Sequence, residues 1–237
     1  MSNKLDLNQN LPVLPLRPGT GLFLFWGTVL SLFVGRPASQ AAIRHARGKS
    51  PLLLVMQKSD NDVRTPSDLC DICFAGTLIL AQELPDGVLK VLVELGERAR
   101  LTLGTVVRDE NEVLWARSEV FALELGDEAA VRSSVERIAR QAVEFSDRLL
   151  GDDATSMQDV VDSWVSTKNS SLLEIASALP GRVLPIFYKA LPPDRSPVTE
   201  SRVQQMAAGA RADEMLLRLE QAISDTVNEY ARYCAEP

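Results

Sequence analysis

Two apolar runs, Thr77 to Leu84 and Val88 to Leu95, are separated only by Pro85-Asp86-Gly87. Proline presets φ for the first turn position and glycine accepts the positive φ that follows, so the segment predicts a tight β-hairpin. That hairpin commits the first half of the chain to β structure. Neighbouring runs agree: Leu11 to Leu16, Leu22 to Phe25 and Val29 to Val34 read as short strands. The apolar run Leu52 to Gln57 suits a strand buried on both faces. Arg100 to Val107 and Glu112 to Leu123 suggest a second hairpin across Arg108-Asp109-Glu110-Asn111. One helix interrupts the strands, Ala38 to Arg47, which is alanine-rich and stops at Gly48.

The pattern changes near Gly126. Val131, Val135, Ile138, Ala142, Phe145 and Leu149 recur at three- and four-residue steps, the stripe of an amphipathic helix from Asp127 to Leu150. Arg132, Glu136 and Arg140 repeat at four-residue spacing on another face, each pair worth roughly 0.2–0.5 kcal/mol. Thr155 to Gln158 and Ser171 to Glu174 read as capping boxes. Pro180-Gly181 reads as a chain break. Ser196-Pro197 reads as the start of a last helix running to about Tyr233 with a kink at Gly209. The expected division is a flexible N-terminus over 1–10, a β-rich domain over 11–125 and a helical subdomain over 126–237.

Composition limits the function. The chain has 237 residues, 46% hydrophobic and 24% charged, enough for a sizeable core. A net charge of −7 argues against nucleic-acid binding. No segment approaches the roughly 18 uncharged apolar residues of a membrane span. The polar first ten residues do not resemble a signal peptide, and Cys70, Cys73 and Cys234 fit a reducing compartment, so a cytoplasmic location is expected.

Catalytic signatures fail on inspection. Gly48-Lys49-Ser50 matches the tail of a phosphate-binding loop, but Ile43 stands where that motif needs glycine, and Pro51 and an apolar run follow instead of a helix. Cys70 and Cys73 form a C-x-x-C without a second pair, so they read as small apolar fillers rather than a zinc site. His45 reads as a surface residue beside Arg44 and Arg47. Asp60, Asp62, Asp68 and Asp71 lack the spacing of a calcium loop. No catalytic residue, cofactor or metal is therefore expected.

Apolar surface is the stronger candidate. Leu22, Phe23, Leu24, Phe25 and Trp26 are consecutive large apolar residues, and a strand buried on one face would expose the alternate set.

Five blocks in order carry a family resemblance. They are Leu11-Pro-Val-Leu-Pro-Leu-Arg17, Leu32-Phe-Val-Gly-Arg-Pro37, Leu52 to Lys58, Leu84 to Glu94, and Arg98-Ala99-Arg100. Over about Leu11 to Val120 the chain resembles the N-terminal, substrate-recognition domain of Lon-type ATP-dependent proteases. The resemblance implies an α+β fold, a partly open β-barrel with one helix followed by a helical subdomain. It also implies a region that gathers unfolded or tagged proteins and helps subunits associate, with no catalysis of its own. Arg36, Arg98 and Arg100 match arginines at comparable places in the family, so the resemblance adds Arg36 and Arg98 to Leu22–Trp26 as candidate protein-binding residues, with structural pairing to acids such as Glu94 or Glu97 as the competing reading. The chain departs from the family at Phe25-Trp26-Gly27, where Phe-Pro is usual, and at Val93-Glu94-Leu95-Gly96, which is one residue longer. The ATPase and protease modules of the family do not occur before Pro237, so a stand-alone relative is expected. Such a protein would be a non-enzymatic adaptor, inhibitor or regulator of a protein partner, either a protease or a client, with homo-oligomerisation as a further expectation. Two alternatives are a recognition fragment of a Lon-type protease and a small-molecule-binding barrel using Arg98, Arg100 and nearby acids.

Overall fold

A computed structural model describes residues 9–18, 23–48, 50–150 and 171–235. The expected flexible N-terminus up to residue 8, Leu22, Lys49 and the capping box at Thr155 lie outside them. Two compact units are present, residues 1–122 and 123–237.

The first unit is one mixed sheet of eight strands that does not close, plus a helix. The strands are β1 (Leu11–Leu16), β2 (Val29–Val34), β3 (Leu52–Gln57), β4 (Leu69–Glu83), β5 (Leu89–Leu101), β6 (Val107–Arg108), β7 (Leu114–Ala116) and β8 (Ser118–Val120). Their order is β2-β5-β4-β3-β1-β7-β6, with β8 also on β5. The hairpin expected at Pro85-Asp86-Gly87 joins β4 to β5. The Leu84 N–H donates to the Val88 carbonyl (2.9 Å), the Gly87 N–H to the Leu84 carbonyl (2.9 Å), and Gly87 has φ 79°. β5 has β4 along one side and shares its other side between β2, opposite Leu89 to Glu94, and β8, opposite Ala99 to Leu101.

β1 runs parallel to β3 and antiparallel to β7. Its two prolines fit because each has a strand on one flank only. Pro12 faces Trp115 of β7 while pairing to β3 begins at Val13, and Pro15 faces Val55 of β3 while pairing to β7 ends at Val13. β3 is buried throughout, as a central strand should be. Its side chains join Leu11, Val13, Cys73, Ala75, Ala99 and Leu114 in the core. A Cβ at Gly76 of β4 would overlap the side chains of Leu54 and Val93, so only glycine lets these strands approach.

α1 (Pro37–Ala46) has proline in its first turn and ends ahead of Gly48 at φ 69°. It buries Ala42, Ile43 and Ala46. The second hairpin is shorter than the sequence suggests. Arg100 and Leu101 belong to β5, a 3-10 turn occupies Leu103–Thr105, and only β6 and β7 pair across the turn.

The second unit is helical: α2 (Glu128–Leu150), α3 (Leu172–Lys189), α4 (Glu200–Ala207) and α5 (Ala212–Ala235). The expected stripe of α2 is buried from Val131 to Phe145. Phe145 stacks on Phe187 of α3 at 4.7 Å and meets Tyr230 of α5 edge-on at 5.3 Å. Arg132 pairs back to Glu128 at 3.0 Å. The capping box at Ser171 and Glu174 is formed, with Ser171 N–H to Glu174 Oε2 at 2.7 Å and Glu174 N–H to Ser171 Oγ at 3.3 Å.

Two expectations fail here. Pro180-Gly181 does not break the chain: α3 continues through Pro180 and Pro185. Each proline removes one helical hydrogen bond, and the cost is offset by burial of Ala176, Leu179, Val183, Leu184 and Phe187 along the helix. The last helix is two helices rather than one kinked one. Thr199, not Ser196, caps α4, accepting from the Arg202 N–H at 3.4 Å. The chain then turns at Gly209 before α5, whose first turn is anchored when the Ala212 N–H donates to the Glu124 carbonyl (2.7 Å). Among the described residues no helix is long and apolar enough to cross a membrane.

Candidate protein-binding surface

β2 alternates strictly. Leu30, Leu32 and Val34 are buried, while Val29, Ser31 and Phe33 point outward. Phe33 is 68% exposed and Val29 52%. On the same face of β5, half-buried Leu92 pairs with Ser31 on one side and with Leu80 of β4 on the other. A bulge between Leu78 and Leu80 adds one residue to β4, so that consecutive Ile79 and Leu80 are both exposed, at 55% and 41%. Val29, Phe33, Ile79, Leu80 and Leu92 thus form an apolar outer face on the hairpin, rimmed by Lys90 and Glu94.

Among the described residues β2 is also the end of the sheet. Beside it lies a groove of about 500 Å³, with Ser31 to Gly35 on one wall and Leu14 to Leu16 of β1, with Arg17 after it, on the other. Arg36 stands at the end of this groove and also lines a second cavity of about 350 Å³ with Val13, Pro37, Asp62 and Leu114. Arg36 Nη2 donates to the Pro15 carbonyl at 2.6 Å, and Nη1 lies 3.5 Å from Gln57 Oε1 and 3.7 Å from Asp62. Asp62 makes its closer contact with Arg17, at 2.9 Å. That bond holds the Asp62 carboxyl below its ordinary range. Burial first, then repulsion from Arg17, lowers the Arg36 pKa in spite of Asp62.

The other residues singled out from sequence have different settings. Phe23, Leu24 and Phe25 are buried, at 3%, 3% and 2% exposed, and lie outside any strand, so the alternating exposure expected of that run does not occur. The Phe25 ring packs against Phe74 with centroids 6.5 Å apart, and Gly27 at φ 73° turns the chain outward before β2. Trp26, at that turn, is 36% exposed. Arg98 does not pair with Glu94 or Glu97. Its guanidinium lies 4.4 Å from the Phe121 ring centroid, its Nε donates to the Phe121 carbonyl at 3.1 Å, and burial lowers its pKa to about 10. Arg100 stacks on the same ring at 4.5 Å and reaches Asp71 at 4.0 Å. These arginines fasten the end of β8 to β5.

The weak motifs resolve structurally. Cys73 is buried, its thiol donating to the Ala99 carbonyl at 3.5 Å, and burial pushes its pKa up to about 12. Cys70 packs partly buried against the same cluster. His45 meets the Trp115 ring edge-on at 4.5 Å. Asp68 accepts from the Arg64 and Thr65 N–H groups, both at 2.8 Å, and caps a 3-10 turn. Among the described residues no group of three His, Cys, Asp or Glu could hold a metal ion.

Sequence reasoning placed β2 but passed over its outward face. The available signal was Val29 to Val34 itself, six uncharged residues with no lysine, proline or glycine to protect an edge.

Comparison with known proteins gives a consistent relationship. Residues 10–179 match the family model described as the ATP-dependent protease La (LON) substrate-binding domain. The chain is 32% identical over 134 residues to Lon protease 2 of Thermus thermophilus, covering 56% of this chain and 16% of that protein. It is 31% identical over 180 residues to the Lon protease of Brucella abortus, covering 70% of this chain and 22% of that protein. This chain thus spans less than a quarter of the length of either relative. The solved N-terminal domain of a Mycobacterium avium complex Lon protease superposes with TM-score 0.65 at 17% identity, covering 92% of this chain and 99% of that one. The Lon N-terminal domain protein of Xanthomonas campestris superposes with TM-score 0.52 at 16% identity, covering 91% and 98%.

Proposed function

Because the chain belongs to the LON substrate-binding domain family, we propose that it is a non-enzymatic protein-binding module that holds its partner on the outer face of the β4–β5 hairpin and β2. The observation that carries this is the cluster of exposed Val29, Phe33, Ile79 and Leu80 around half-buried Leu92, on a sheet whose other face is core. Exposed apolar clusters rimmed by charge favour protein contact, because binding removes apolar area from water at about 25 cal/mol per Å². Trp26 and Arg36 extend this surface along the β2 edge; Phe23, Leu24 and Phe25 support it from within. Arg98 supports it by fixing β8. The action proposed is that of an adaptor, inhibitor or regulator of a partner protein.

Binding to a permanently unfolded, carboxymethylated protein, measured by fluorescence anisotropy against the same protein in native form, tests the proposal. Preference for the unfolded form, lost in Phe33→Asp, is the expected result. No binding to either form sinks the reading. The relatives named Lon protease favour a second version, in which the same surface selects substrates for a larger proteolytic machine. An open reading frame continuing past Pro237 into a phosphate-binding loop would select that version.

A further inference from the structure

We infer that the open edge of β2 takes up an extended segment of a partner protein as an added β-strand, with an acidic side chain of that segment seated at Arg36. This rests on the protein-binding reading above and specifies how the partner is held.

The ladder itself shows which backbone groups are available. The Leu95 N–H donates to the Thr28 carbonyl and the Leu95 carbonyl accepts from the Gly27 N–H, both at 2.8 Å, so the ladder enters β2 with Thr28 opposite Leu95 at a hydrogen-bonded position. Such positions alternate along a ladder. Leu30, Leu32 and Val34 therefore direct their N–H and C=O groups to β5, and Val29, Ser31 and Phe33 direct theirs to the open side. The residues with outward backbone groups are those with outward side chains. A strand added there meets the apolar face and the ladder together, the combination used in recognition by strand addition.

The groove gives that strand a place. Strands pair about 4.8 Å apart and rise about 3.3 Å per residue. The groove of about 500 Å³ runs beside Ser31 to Gly35, and β1 residues wall its far side. One extended chain suits such an opening better than the edge of a second folded sheet. Many proteins guard a free edge with lysine, proline or a bulge. β2 has none of these over Val29 to Val34, and its pairing with β5 is regular.

Charge selects the segment. Among the described residues, the charged side chains lining the groove are Arg17 and Arg36, both cationic. Asp62 contacts both from the loop after β3 but does not offset the effects of burial and Arg17 on Arg36. A carboxylate arriving from the groove side would complete that compensation.

The test uses the full chain and a fluorescent peptide of about ten residues, alternating valine and threonine, with aspartate at each end. Binding is expected, with slowed amide exchange at Val29, Ser31 and Phe33. Methylating every peptide nitrogen should weaken binding more than about tenfold, because no ladder can form. Ser31→Pro should do the same; the Ser31 N–H faces the open side, so the β2–β5 ladder survives. Replacing aspartate by asparagine in the peptide should weaken binding to the native chain but leave binding to Arg36→Gln unchanged. Equal binding of the methylated peptide overturns strand addition. So does an unfolded, carboxymethylated protein that binds while the peptide does not, and in that case the protein-binding reading stands. If neither binds, both readings fall. A dimer abolished by Ser31→Pro, without peptide binding, overturns the inference in favour of a second copy on this edge.

Discussion

The Arg36 guanidinium donates to the Pro15 carbonyl at 2.6 Å, tying the start of α1 to β1 at the mouth of the groove. Arg36→Ala removes this bond and leaves a half-buried carbonyl without its charged donor. A loss of about 1–2 kcal/mol is expected, read from urea denaturation. Arg36→Lys should recover only part of it, because one ammonium cannot span Pro15, Gln57 and Asp62 as a planar guanidinium does.

Phe33 and Phe25 are eight positions apart and opposite in exposure, 68% against 2%. Phe33→Asp should change stability by no more than about 0.5 kcal/mol while weakening partner binding at least about tenfold. Phe25→Asp should instead unfold the first unit, since it buries a charge without a partner. Circular dichroism melts run beside the binding assay separate the two outcomes.

Gly76→Ala places a methyl group against Leu54 and Val93 at the crossing of three strands. A destabilisation of about 1–3 kcal/mol is expected, and Gly76→Val should be worse. Gly104, with open space around its Cβ position, is the control, and Gly104→Ala should be nearly neutral in the same melt.

Asp213 bonds to Arg211 and accepts from the Asp127 N–H at 3.2 Å, and the Arg211 bond leads in lowering its pKa to about 2. A carboxyl depressed in the folded state stabilises it above the unfolded value near 3.8, and that contribution disappears as pH falls through about 2. The native chain should therefore lose stability between about pH 4 and pH 2. In Asp213→Asn this part of the pH dependence should flatten, with stability already about 1 kcal/mol lower at neutral pH. Denaturation midpoints collected across that range check it.

Cys73 is buried and its pKa lies near 12, whereas Cys234 is exposed. A maleimide should label Cys234 within minutes and reach Cys73 only when the first unit opens. Rapid labelling of both in native buffer would contradict the core packing around Ala99.

Much of the fold could be read from residues with strong local chemistry. Pro85-Asp86-Gly87 fixed a turn by φ preference, Ser171 and Glu174 fixed a helix start by reciprocal caps, and the stripe from Val131 to Phe145 fixed a buried face. Errors arose where tertiary packing outweighs local preference. Pro180 and Pro185 look like breakers, yet they sit in a helix held by Leu179, Val183 and Phe187. The run from Phe23 to Trp26 looks like a surface strand, but which side is buried depends on Phe74, about fifty residues away. The groove was invisible for the same reason. β1 and β2 are close in sequence, but they become its two walls only because β2 pairs with β5 and β1 with β3.

The two prolines of β1 also index that strand. Sliding β1 by a residue or two along β3 or β7 would carry Pro12 or Pro15 beneath a neighbour that requires an N–H. Misaligned sheets therefore lack a ladder bond that the correct one does not need. Because Pro15 also supplies the carbonyl that Arg36 grips, the alignment that completes the sheet is the one that shapes the mouth of the groove. A chain that pairs its strands out of step would also fold without its binding edge.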